Sequence, residues 1–152
     1  MKLKISEIFY SIQGEGVDMG IPTIFLRLFG CNLRCTWCDS MYAVEGKEYK
    51  IMKIENIIRE IELIDCKRIC ITGGEPLLQQ EPLIDLVQIL VNKNFNIILE
   101  TAGHIEPDPV FQNKQVVISM DCKCPSSNME QKTNNSILKK LNKKDQIKFV
   151  VK

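Results

Sequence analysis

Histidine is nearly absent: His104 is the only one in 152 residues, and it is remote in sequence from the cysteines with which it could share a metal. An excess of either charge is also missing. Lys and Arg number 20 and Asp and Glu 19, a formal net charge of +1, which gives no basis for a general nucleic-acid or membrane-surface binder. No apolar run approaches the length needed to cross a bilayer. Met1 to Tyr10 is charged and alternating, not the apolar core of a signal peptide, so the chain reads as cytoplasmic. Internal repeats, low-complexity stretches and linkers are lacking too. With 45% apolar and 26% charged residues, one ordinary globular domain over residues 1–152 is expected, burying roughly 70% of the surface an unfolded chain exposes.

What the chain does have is cysteine. Seven is an odd number, which cannot pair completely within one chain, and the cytosol keeps thiols reduced. Cys31, Cys35 and Cys38 crowd into eight residues, while Cys66, Cys70, Cys122 and Cys124 are scattered. Around them, short apolar runs alternate with amphipathic ones. Strands are predicted at Thr23 to Phe29, Arg68 to Thr72, Asn96 to Thr101, Gln115 to Asp121 and Gln146 to Val151. Helices are predicted over Lys53 to Ile64, with Ile54, Ile57, Ile58 and Ile61 on one face, around Leu83 to Val91, and over Ser136 to Asn142. This is the grammar of a mostly parallel α/β sheet, in which sites gather at the carboxyl ends of strands. Cys31, Gly73-Gly74-Glu75, Thr101 to Gly103 and Asp121 to Lys123 all fall there. The polar stretch Pro125 to Thr133 reads as a mobile loop near the site.

Three thiolates from one tight loop can converge on one metal centre. Iron–sulfur clusters are held by cysteine thiolates, often four; with no local fourth, one iron would stay open for a ligand. A structural zinc site is the plainer alternative, but zinc usually takes four protein ligands. Three buried thiols acting as small hydrophobes are another, against which the polar neighbours Asn32, Arg34, Thr36 and Asp39 argue.

Cys-Asn-Leu-Arg-Cys-Thr-Trp-Cys resembles the CxxxCxxC loop of the radical S-adenosylmethionine (SAM) superfamily, and Ile71 to Pro76 (ITGGEP) resembles its GGE element. The resemblance implies an α/β fold, a partial (β/α)6 radical SAM barrel, here shortened at the C-terminus. It also implies a [4Fe–4S] cluster on Cys31, Cys35 and Cys38, whose open iron chelates SAM. Four further segments resemble the 7-carboxy-7-deazaguanine synthase family: Glu7 to Gly16 (EIFYSIQGEG), Cys31 to Ser40 ending Trp-Cys-Asp-Ser, Asp121 to Ser127 (DCKCPSS), and Lys148 to Val151 (KFVV). That family converts 6-carboxy-5,6,7,8-tetrahydropterin to 7-carboxy-7-deazaguanine with loss of ammonia, in queuosine and deazapurine biosynthesis. Mg²⁺ supports the reaction, and an electron donor such as flavodoxin or ferredoxin is required.

Carried over by position, the resemblance places SAM against Trp37, Asp39, Gly74, Glu75, Thr101, Asp121, Cys122 and Lys123. Glu75 is expected to accept a hydrogen bond from the SAM ammonium, and the glycine pair to let backbone approach the ligand; a plain strand-ending turn is the alternative. Gln13 and Gly14, with the backbone at Ile12, and Arg27 and Thr72 are expected at the pterin. For Gln13 the alternative is a solvated turn. For Arg27, set in an apolar strand, it is a buried ion pair in place of a two-pronged grip on the substrate carboxylate. Ser40 stands where the family has a threonine that ligates Mg²⁺; alternatively it caps the turn after Cys38. Cys122 and Cys124 should point away from Lys123 if the chain there is extended, and Cys66 and Cys70 read as core thiols.

Two departures stand out. Ala102 occupies a position where the family usually shows asparagine or serine. The sequence also stops at Lys152, right after the fifth predicted strand, where the family continues; a parallel edge is then expected open, for a second copy in a homodimer or for missing chain. A glycyl-radical activating enzyme of the anaerobic ribonucleotide reductase type shares CNLRC, but QGEG, WCDS and DCKCPSS speak against it. A non-catalytic cluster- or zinc-binding module is the rival from another class.

Overall fold

In the computed structural model, which describes residues 1–151, seven strands form one sheet in the order β3-β1-β2-β4-β5-β6-β7. They are β1 (Lys2–Ile12), β2 (Pro22–Leu28), β3 (Lys50–Lys53), β4 (Arg68–Gly73), β5 (Asn96–Thr101), β6 (Val116–Asp121) and β7 (Gln146–Lys148). β2, β4, β5, β6 and β7 run parallel, as the alternation of strands and helices requires. β1 is antiparallel to both β2 and β3.

Side chains alternate across strands, and here each face has its own chemistry. One carries Ile24, Leu26, Leu28, Ile69, Ile71, Ile97, Leu99, Ile118 and Met120, all at most 1% exposed. Two helices cover it, α2 (Ile54–Glu62) through Ile54, Ile57, Ile58 and Ile61, and α3 (Gln80–Asn92) through Leu83, Leu86, Val87 and Leu90. At roughly 1.5–3 kcal/mol for each fully buried aliphatic side chain, this layer supplies most of the drive to fold. The other face holds a small apolar patch of Phe25, Cys70 and Ile98 packed by Phe9. Beyond it, toward the strands' carboxyl ends, come polar residues.

Three expectations need correcting. β1 and β3 were not foreseen: Leu3 and Ile5 are buried and Lys2 and Lys4 exposed, a period-2 strand signal inside a segment read only as not being a signal peptide. The last strand ends at Lys148, not Val151, and the short helix is α4 (Asn135–Leu138), ending well before Asn142. Pro125 to Thr133 is not a free loop. It contains two single 3-10 turns, and Ser127, fully buried, bonds its hydroxyl to the Cys124 carbonyl at 2.6 Å. The remaining helix, α1 (Met41–Glu45), follows the cysteine segment. Among the described residues, β7 lies at the parallel edge with no strand beyond it.

Candidate active site

β2 ends at Leu28, and the chain turns at Gly30, whose φ of +102° favours glycine. The root of the cysteine loop is held on three sides. Phe29 N–H donates to Lys4 O at 2.9 Å, Gly30 N–H to Ala43 O at 2.7 Å, and Glu75 N–H to Gly30 O at 2.8 Å. Further along, Thr36 N–H donates to Ser127 O at 3.1 Å, and Arg34 bonds the carbonyls of Cys31 and Leu33. The loop is therefore braced by β1, α1, β4 and the segment after β6. Cys31, Cys35 and Cys38 are free, partly exposed thiols on one cavity of about 580 Å³. Burial pushes the Cys31 and Cys35 thiols above the usual range.

Opposite the thiols, alternate residues on the strand ends form a polar row: Arg27 on β2, Thr72 on β4, Glu100 on β5, Asp121 on β6 and Lys148 on β7, all lining the cavity. Arg27 pairs with Thr72 and Asp121 with Lys148 in the register of the sheet. Thr72 Oγ1 donates to Glu100 Oε2 at 2.8 Å. Lys148 Nζ lies 2.6 Å from Glu15, 3.6 Å from Asp121 and 3.7 Å from Glu100. Burial lowers its pKa, but the three carboxylates outweigh this and raise it. Lys123 Nζ pairs with Asp121 Oδ2 at 2.7 Å and lies 5.1 Å from the Trp37 ring centroid.

The structure resolves several alternatives left open above. Gln13 is 3% exposed, so it is no solvated turn; its Oε1 accepts from Glu15 N–H, and it lines the cavity with Gly14. Arg27 is in an ion pair, but end-on: Nε donates to Glu7 Oε1 at 2.7 Å, using one of five N–H donors. Glu7 also takes the Tyr42 hydroxyl at 2.6 Å. Burial raises its pKa, yet these two donors hold it below the ordinary value. Ser40 precedes α1 without a side-chain cap bond; its hydroxyl lies on the cavity, 3.8 Å from the Cys38 sulfur. Asp39, Trp37, Gly74 and Thr101 also line the cavity.

Other expected contacts are revised. Glu75 is fully buried and does not line the cavity. Its carboxylate accepts from Leu77 N–H at 3.0 Å, Ala102 N–H at 2.8 Å and Thr101 Oγ1 at 2.9 Å, so it ties the end of β4 to β5. The glycine pair serves the strand ends: a Cβ on Gly73 would stand 2.1 Å from Leu28 O, and one on Gly74 2.3 Å from Gly30 O and 2.9 Å from Cys31 Cβ. Ile12, expected at the pterin through its backbone, has an exposed side chain and is not in the cavity's lining, and neither is Cys122, whose N–H bonds Lys148 O at 2.8 Å. Cys70 is a core thiol, whereas Cys66 is only half buried. His104, remote in sequence, reaches the cysteine loop through Nε2 to Asn32 Oδ1 at 2.7 Å. Glu15, Glu100 and Lys148 line the cavity too and are not named as site residues by the sequence reading; no local pattern marks the last two.

A cluster and SAM can be tested against these groups. Among the described residues no three His, Cys, Asp or Glu side chains converge on one ion. The three thiols share the lining of one cavity, and cysteine thiolates are the ligands an iron–sulfur cluster takes. Trp37 Nε1 and Asp121 Oδ1, both on residues lining the cavity, are buried without a hydrogen-bond partner, Lys148 Nζ lying 3.6 Å from the latter. Buried polar atoms ordinarily find partners, and a polar ligand would supply them. The residues fit.

The Radical SAM superfamily sequence model matches residues 26–151. Curated 7-carboxy-7-deazaguanine synthases align almost end to end. That of Methanospirillum hungatei is 40% identical over 98% of this chain and 61% of its own length. Thermoplasma acidophilum's is 38% identical, covering 97% and 69%, and that of Leptospira interrogans 32% identical, covering 100% and 72%. The chain belongs to the 7-carboxy-7-deazaguanine synthase family of radical SAM proteins. Family membership implies a [4Fe–4S] cluster and SAM. The chain thus spans about three fifths to three quarters of the length of the curated relatives it matches, 61% for that of Methanospirillum hungatei. Among solved structures, QueE from Escherichia coli superposes with a TM-score of 0.70 at 20% identity, covering 98% of this chain and 84% of that one. That likeness is one of fold: the partial barrel of the superfamily, with its helices on one side and the cavity on the other.

Proposed function

We propose that this chain converts 6-carboxy-5,6,7,8-tetrahydropterin to 7-carboxy-7-deazaguanine and ammonia, drawing electrons from a small carrier protein such as flavodoxin or ferredoxin. The observation that carries the reading is the meeting, in one cavity, of the three cysteines with the polar row Arg27, Thr72, Glu100, Asp121 and Lys148. When bound, the cluster supplies the electron that cleaves SAM and so the radical that abstracts hydrogen from substrate. Cys31, Cys35 and Cys38 hold it.

The protein's own part is to bind, orient and exclude water. Arg27 is steered by Glu7 and by the faces of Phe9 and Tyr42, at 5.9 and 5.8 Å. Its terminal N–H groups bond no protein acceptor among the described residues, and as a planar fork they suit a carboxylate. Gln13, with the Gly14 backbone, offers donor and acceptor to the flat pterin amide; no side chain at Gly14 narrows the cavity. Thr72 and Glu100 present a hydroxyl and a carboxylate to the ring nitrogens. Trp37, Asp121 and Lys123 line the end beside the cysteines, for SAM. Ser40, with substrate oxygens and waters, gives Mg²⁺ a shell of the kind that ion tolerates, since it keeps several waters.

The test is to titrate the pterin with and without its 6-carboxylate against wild type and Arg27→Ala. Wild type should prefer the carboxylated ligand, and the variant should lose most of that preference. Arg27→Lys keeps the charge but not the fork and should recover it only in part. Equal discrimination by wild type and Arg27→Ala would mean that Arg27 is a structural ion-pair residue and that the carboxylate is read elsewhere.

A further inference from the structure

The side of the sheet that carries Arg27 continues past the cavity onto the first half of β1 and onto β3, where its side chains are exposed. Lys2, Lys4, Ile51 and Lys53 share this side, because Lys2 lies opposite Lys53 and Lys4 opposite Ile51, while Leu3 and Ile5 point to the core. Tyr49 joins them, stacked on Phe29 at 4.4 Å with Lys4 Nζ 5.5 Å from its centroid. Ile51 is 61% and Tyr49 39% exposed. Lys47 stands at the margin, also exposed, whereas Lys50, opposite Ile5, belongs to the other face. None of the four lysines Lys2, Lys4, Lys47 and Lys53 is in an ion pair among the described residues. The nearest carboxylates in sequence are Glu45, paired with Arg34, and Glu48 and Glu55.

Lysines on an edge strand ordinarily serve to discourage strand pairing. That accounts for Lys50 and Lys53 on β3 but not for Lys2 and Lys4. These lie on an interior strand and project from the sheet's face, around an exposed tyrosine and isoleucine. Lys2 directly opposite Lys53 is a like-charge pair that costs stability unless an anionic partner neutralises it. The place of the patch is also telling. Phe29, under Tyr49, is separated from Cys31 by Gly30 alone, so their Cα atoms are at most about 7.6 Å apart. The patch therefore borders the root of the cysteine loop while lying outside the cavity's lining, so a protein docked there would leave the cavity free for its small ligands.

We propose that this basic, aromatic-centred face of β1 and β3 docks the acidic one-electron carrier that reduces the cluster. The proposal rests on the functional reading above and deepens it by naming the partner's landing site. One electron passes per encounter: the carrier's reduced centre is oxidised by one unit, the cluster goes from the 2+ to the 1+ state, and no bond or proton changes at the face. Charge complementarity sets the on-rate and orientation of such an encounter, and electron-transfer contacts are small and short-lived, as a patch of this size requires.

The test uses reconstituted protein and an acidic flavodoxin. Its binding is read by calorimetry and by flavin fluorescence across ionic strength, and SAM cleavage is driven separately by dithionite. Wild type should bind flavodoxin with an affinity that falls as salt rises. Replacing the three facing lysines together (Lys2→Glu, Lys4→Glu, Lys53→Glu) should weaken it at least about tenfold and remove the salt dependence. The neutralising set (Lys2→Gln, Lys4→Gln, Lys53→Gln) should fall between. Dithionite-driven cleavage should be unchanged in both, which shows that the fold and site survive. Flavodoxin binding equal in wild type and both variants overturns the proposal. So does a change of oligomeric state in the variants, which would make the face a contact between copies, or tRNA binding that the variants lose while flavodoxin binding stays. If wild type fails to cleave SAM with dithionite, the functional reading falls instead, and the flavodoxin comparison still decides the docking face.

Discussion

The Ser40 hydroxyl heads α1 without bonding any backbone N–H of that helix, so a helix cap does not explain it. Ser40→Ala should lower turnover and its dependence on added Mg²⁺ while SAM affinity stays nearly constant. Equal rates in chelator and in millimolar-scale magnesium would remove the metal role. Glu75 makes the opposite case, a residue expected at the ligand that turns out to hold the scaffold. Glu75→Ala would leave the buried N–H groups of Leu77 and Ala102 without an acceptor. At about 1–3 kcal/mol for each unsatisfied group, the loss should appear as a lower melting temperature, with SAM affinity falling only as the site loosens. Its pH signature is specific. Burial raises the Glu75 pKa despite its donors, so between the unfolded and folded values the native state binds more protons. Stability from this group is present in full below the unfolded value and is lost as pH rises through the folded one. In apo protein, denaturation of wild type minus Glu75→Gln should slope downward with pH above the usual glutamate range; a flat or upward difference would contradict the raised pKa.

At the scale of elements, the ends of β2 and β4 are the joint on which the cysteine loop is mounted. Gly74→Ala would force a methyl group toward the Gly30 carbonyl and Cys31 Cβ. Overpacking of this kind costs about 1–3 kcal/mol, and here it displaces the first thiol. Iron content after reconstitution should fall more than secondary structure does; full iron loading in that variant would separate the joint from the cluster. Cys31→Ala, Cys35→Ala or Cys38→Ala should each abolish SAM cleavage, and Cys66→Ala should leave it largely intact. The five parallel strands and both large helices were legible in sequence, because β-branched runs and the Ile54-Ile57-Ile58-Ile61 spacing are strong period signals. β1 was overlooked because its buried half is only Leu3 and Ile5, set among lysines. β7 was overextended through an apolar Phe149-Val150-Val151 that the structure leaves largely exposed.

For the whole molecule, the cysteine loop and the segments carrying Gln13, Arg27 and Asp121 were legible because each is a local pattern. Glu100 and Lys148 were not, since their role exists only once β5, β6 and β7 stand side by side and bring three carboxylates to one ammonium. Nor was the inward turn of Glu75, which depends on Thr101 and Ala102 arriving from the next strand. The central claim is that one sheet gathers a cluster and a pterin-reading row into a single reaction chamber. The most direct measurement is anaerobic turnover of reconstituted protein with SAM, dithionite, Mg²⁺ and 6-carboxy-5,6,7,8-tetrahydropterin, followed by mass spectrometry. The account predicts that 7-carboxy-7-deazaguanine forms, and only when both SAM and the reductant are present. SAM cleaved to 5′-deoxyadenosine with no deazaguanine formed would contradict it.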